Sequence, residues 1–67
     1  MLIDTGALVR MVNGDICEVK KLYLNNTTFS YWHIDVKRSK KSLLPIRDVE
    51  YVYNREELGE AYPEYFI

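Results

Sequence analysis

His33 is the only histidine in the chain, and Tyr31 and Asp35 stand two residues away on either side of it. If the segment is a strand, that spacing puts a phenol, an imidazole and a carboxylate on one face. Such a row could handle a proton, because imidazole is the commonest general base near neutral pH. Any half-exposed strand face produces the same row, so it is read as structural. Cys17, the single cysteine, lies in an alternating run and reads as a small buried residue rather than a reactive thiol. Asp35 and Asp48 have no spacing that argues for paired acid–base work, and no glycine-rich phosphate loop is present. One histidine and one cysteine cannot assemble the usual structural zinc set. The expectation is a chain that is not an enzyme and carries no cofactor or metal.

Binding residues are easier to find. Lys37, Arg38, Lys40 and Lys41 form a basic stretch, and Lys20 and Lys21 lie on the preceding strand-like run. Clustered cations release counterions from a phosphate backbone, and rings such as Tyr23, Phe29 and Tyr31 could stack on bases. The same lysines are also explained by a solvated turn that discourages edge pairing. A second candidate surface combines Phe29, Tyr31 and His33 with Tyr62, Tyr65, Phe66 and Ile67 near the C-terminus. So small a domain cannot easily leave that many apolar side chains in water. Either the last residues fold back over the domain, or they dock on another chain, where tyrosine-rich surfaces are common hot spots.

The 67 residues allow one domain, with a barrel over about 5–53 and an acidic, aromatic tail over 54–67. A chain of this size buries only roughly 60% of its unfolded surface, so its core is marginal. Hydrophobic residues make up 48% and charged residues 28%, which fits a globular chain and excludes a disordered one. The formal net charge is −1 and the pI about 5.7, yet the acids Glu56, Glu57, Glu60 and Glu64 crowd the tail. The body is mildly basic. A lone cysteine points to a reducing cytosol, and the opening residues MLIDTGALVR do not read as a secretory signal. No apolar run approaches the roughly 20 residues of a membrane helix. The glycosylation-like triplets at Asn25 and Asn26 are therefore read as turn residues.

The pattern along the chain is β. Gly6 to Val12 is a short apolar run closed by Asn13-Gly14, a strong hairpin signal whose type I′ turn needs positive φ at both central residues. Asp15 to Leu24 alternates imperfectly, with Ile16, Glu18, Lys20 and Leu22 on one side. Asn25-Asn26 favours a left-handed turn. Thr27 to Val36 is the densest in aromatic and β-branched residues, with Trp32, Ile34 and Val36 expected to face the core. Lys37 to Lys41 is too polar to bury. Ser42 to Ile46 begins another strand that Pro45 should end or bend, Arg47-Asp48 reads as a short turn, and Val49 to Tyr53 as a last strand with Val49, Tyr51 and Tyr53 on one side. Arg55 to Ala61 could make one or two helical turns after Asn54 as N-cap.

This order resembles the SH3-like small β-barrels, such as Tudor and KOW domains, over residues 5 to 53. Gly6-Ala7-Leu8-Val9 matches their first strand, and Leu44-Pro45-Ile46-Arg47-Asp48-Val49-Glu50-Tyr51-Val52 their short turn and last strand. The resemblance implies a mostly β, antiparallel SH3-like barrel of about five strands, here with a short C-terminal helical turn and tail. Function does not follow from such a resemblance. The sequence favours a protein–protein interaction module, an adaptor, inhibitor or assembly factor that binds another protein or itself, of the style common among phage and mobile-element accessory chains. The alternative is a nucleic-acid-binding barrel using the basic 37–41 turn with Lys20 and Lys21.

Overall fold

A computed structural model describes residues 3–54 and Glu60. Five strands, β1 (Leu8–Met11), β2 (Ile16–Tyr23), β3 (Thr28–Asp35), β4 (Leu44–Pro45) and β5 (Val49–Tyr53), follow one another, with a 3-10 turn at Ile46–Asp48 before β5. All pairings are antiparallel, and the strands form one sheet in the order β4-β3-β2-β1-β5. The mostly β, five-stranded expectation holds. The expected helical turn over 55–61 falls, apart from Glu60, outside the described residues, and so do Tyr62, Tyr65, Phe66 and Ile67.

The hairpin turns at Asn13-Gly14 as expected, but with different geometry. Only Gly14 has positive φ, at 94°. Its N–H donates to Met11 O at 2.9 Å, and Met11 N–H donates to Asp15 O at 2.8 Å. The loop is therefore the three-residue kind, with glycine in the left-handed position, and not a two-residue type I′ turn. Asn13 stays out of the left-handed region, and its Oδ1 accepts from Asp15 N–H at 2.9 Å. The second turn does use left-handed residues, with Leu24, Asn25 and Asn26 at φ 50°, 54° and 63°.

The main core gathers Ile3, Val9, Met11, Cys17, Val19, Phe29, Leu44 and Val49, with Leu22, Tyr31, Val36 and Ile46 packed against it. Among the described residues the sheet has three register shifts. One, between Ile16 and Cys17, leaves Ile34 extra on β3 and sets Asp35 opposite Ile16. The other two decide which side chains reach the main core. The first of these two lies between Val19 and Lys21 on β2, leaving Lys20 as the extra residue, so Leu22 returns to the core side. This explains the imperfect alternation of that strand. The other lies where Arg10 pairs Tyr51 and Met11 pairs Val49, leaving Glu50 extra. Val49 therefore enters the core while Tyr51 and Tyr53 face outward beside Arg10, and the three do not share a side as expected.

From Phe29 to His33 the faces of β3 are also the reverse of the expectation, whereas Val36, just past the strand, packs on the main core as expected. Tyr31 pairs with Val19 and His33 with Cys17, both of which are in the core, while Trp32 pairs with Glu18. Cross-strand partners share a side, so β3 must follow β2. Phe29 is 0% exposed and meets Tyr31 edge-on at 6.4 Å, whereas Trp32 is 54% exposed. Phe29 thus belongs to the core and cannot be a contact residue. Ile34 packs on a second cluster, Leu8 and Ile16 with Tyr53, on the opposite side of the sheet.

Candidate nucleic-acid interface

The basic connection 37–41 leaves β3 and is anchored by one buried acid. Asp15, only 1% exposed, follows the first hairpin turn. Its Oδ1 accepts from Lys37 N–H at 2.9 Å and Arg38 N–H at 3.2 Å; its Oδ2 accepts from Arg38 N–H at 3.2 Å and Ser39 N–H at 2.6 Å. Three successive N–H groups therefore converge on one carboxylate. Burial pushes the Asp15 pKa up, but the interactions with Lys37, Ser39 and Arg38 outweigh it and leave the group at about 2. The loop is fixed twice more, by Arg38 Nη1 donating to Asn13 O at 2.8 Å and by Asn13 Nδ2 donating to Ser39 Oγ at 3.2 Å. Tyr31 reaches across to donate its hydroxyl to Lys41 O at 2.7 Å.

What this frame presents is positive. A cleft of about 350 Å³ is lined by Asn13, Arg38, Ser39, Lys40, Lys41, Leu44, Pro45 and Asp48. Lys37 leans toward Asp35 at 3.7 Å, and Arg10 is paired with Glu50 at 2.9 Å. Lys20, Lys21, Arg38, Lys40, Lys41 and Arg47 form no ion pair among the described residues. With Asp15 buried, Asp35 and Glu50 paired, the acids left over there are Asp4, Glu18, Asp48 and Glu60. The body thus carries surplus cations despite the acidic pI.

The outward sheet face adds rings. Glu18 pairs Trp32, Lys21 pairs Ser30 and Tyr23 pairs Thr28, which places Lys21, Tyr23 and Trp32 on one side. Lys20 Nζ lies 4.2 Å from the Trp32 ring centroid, and Lys21 Nζ lies 5.4 Å from that of Tyr23. Farther across the same face, Arg10 lies 5.5 Å from the Tyr51 ring and 5.7 Å from Tyr53, and donates to the Tyr53 hydroxyl at 2.9 Å. Exposed contacts of this kind contribute about 0.5–1 kcal/mol each, too little to hold the lysines against a better partner.

Of the residues marked in the sequence, Lys20 and Lys21 meet exposed rings, and Lys37, Arg38, Lys40 and Lys41 share one ordered loop. Tyr31 and His33 stack at 5.1 Å with rings 12° apart, and the Tyr31 hydroxyl donates to the Lys41 carbonyl. Asp35, however, pairs with Ile16 across the register shift, so the three do not share one face as expected. Asp15 and Trp32 were missed as site residues. The partners of Asp15 lie 22 to 24 residues away, which no local pattern signals. Among the described residues no group of three His, Cys, Asp or Glu could hold a metal, and no helix is long and apolar enough to cross a membrane.

Cys17 is 0% exposed, and burial first, then the charge of Asp15, pushes its thiol pKa up to about 12. Because the thiolate is the reactive form, the folded chain should resist an aromatic disulfide reagent at pH 8 and react within seconds once denatured. Fast stoichiometric labelling of the folded protein would contradict this burial. Compared with known proteins, the chain matches no family model, no curated protein and no solved structure.

Proposed function

We propose that the chain is a non-enzymatic nucleic-acid-binding domain whose phosphate contacts come from the 37–41 loop together with Lys20 and Lys21. The carrying observation is the buried Asp15 carboxylate, which holds three consecutive loop N–H groups and so presents Arg38, Lys40 and Lys41 around one cleft. A basic loop that merely solvates a turn needs no such anchor. Order fixed before binding lowers the entropy cost of gathering cations on a phosphate chain. The strand order and the 3-10 turn ahead of β5 support an SH3-like barrel as the scaffold. A chain whose single cysteine, Cys17, is buried supports a reducing cytosol as its compartment.

Replacing Lys40 and Lys41 by glutamine tests the proposal. Affinity for a short single strand should fall at low salt, and the slope of log K against log salt should shrink by about 0.7 for each phosphate contact removed. Unchanged affinity and slope would overturn the assignment of the loop. A second reading, binding to another protein or a second copy, is favoured by the exposed Trp32 and Tyr51 beside Arg10, the residue types that dominate protein hot spots. Binding of that kind would be nearly indifferent to salt and to loss of the loop lysines.

A further inference from the structure

Phosphate contacts alone do not distinguish a duplex from a single strand; the outward sheet face does. Trp32 and Tyr23, 54% and 38% exposed, stand on that face, each with a lysine ammonium against its ring. From the register, Trp32 and Thr28, the partner of Tyr23, are four residues apart on β3. At strand spacing the two backbone positions lie about 13 Å apart along the strand direction. Stacked bases in a duplex follow one another every ~3.4 Å per strand and show no free faces to such rings. Bases splayed from an extended single strand do. Stacking of a base on an exposed ring is stronger than an exposed cation–ring contact, so a base would displace the lysine. The freed ammonium then meets the phosphate beside that base.

We infer that Trp32 and Tyr23, with Lys20 and Lys21, form a base-stacking surface selective for single-stranded over double-stranded nucleic acid. This deepens the proposed function and rests on it, since the cations serve both. Removing the lysine charges cannot separate the ideas, but the ring can, when single strand and duplex are compared. Trp32 is the sole tryptophan, so its fluorescence reports directly on stacking.

The experiment compares short oligothymidylate, oligouridylate and a mixed-sequence duplex of equal charge at low salt, with wild type and Trp32→Ala. Either single strand should quench Trp32 fluorescence, and the duplex should not. Trp32→Ala should lose about tenfold or more in single-strand affinity by anisotropy, with duplex affinity unchanged. Trp32→Phe should recover most of the loss, and a thermal melt should confirm that the exposed site leaves the fold intact. Equal single-strand and duplex affinity, indifferent to Trp32→Ala, overturns the stacking surface while the proposed function stands. No binding of any of the three overturns both, and leaves the outward face to a protein partner.

Discussion

Asp15→Ala is expected to destabilise the domain by about 2–4 kcal/mol, because it removes several charge-assisted hydrogen bonds at once and strands their donors. Asp15→Asn keeps the volume but not the charge, and should recover little of the loss. Chemical denaturation measures it. The wild type should also carry a signature in acid. Asp15 has a folded pKa of about 2, below an unfolded value of about 3.9, so its stabilisation is fully present above about pH 4. It is lost as the pH falls from there through about 2. Asp15→Asn should flatten that part of the stability profile. Parallel acid profiles for the two proteins would show that the carboxylate does not anchor the loop. Because the loop would lose its fixed shape, the variant should also bind nucleic acid more weakly while retaining every lysine.

The second large effect lies in the core. Phe29 is fully buried, packed edge-on against Tyr31, and pairs with Leu44 at the start of β4. Phe29→Ala should cost about 3–5 kcal/mol in lost burial and cavity formation. Typical stability of about 0.05–0.15 kcal/mol per residue leaves a domain this small little to spare. The variant should therefore lose its cooperative unfolding transition, whereas Phe29→Leu should keep one at a lower midpoint. A Phe29→Ala protein that melts like the wild type would return Phe29 to the surface, where the sequence alone placed it. Trp32→Ala, three residues away on the opposite face, should leave the melt almost unchanged. The contrast between the two variants measures which face of β3 is inside.

That face is the part of the fold least legible from residue types. The strand bounds were readable: β3 falls within the β-branched and aromatic run 27–36, and β5 coincides with Val49–Tyr53, because turn residues bracket both. Alternation alone could not orient β3, since Phe29 and Tyr31 on one side compete with Trp32 and Ile34 on the other. Pairing with Cys17 and Val19 settles it, and that is a tertiary fact. Bulges at Lys20 and Glu50 leave no mark in composition, yet each moves its neighbours to the other face. The basic loop was legible as a charge cluster. Its order was not, because Asp15 looks like an ordinary turn residue until the chain returns to it.

The most direct test of the proposed function maps the contact by amide chemical shifts as a short single-stranded oligonucleotide is added to the isotope-labelled chain at low salt. Shifts concentrated on residues 20–23, 30–32 and 37–41, and reversed by raising the salt, are the predicted result. An oligonucleotide that leaves those amides unmoved at low salt, or moves others in a salt-independent way, would contradict it.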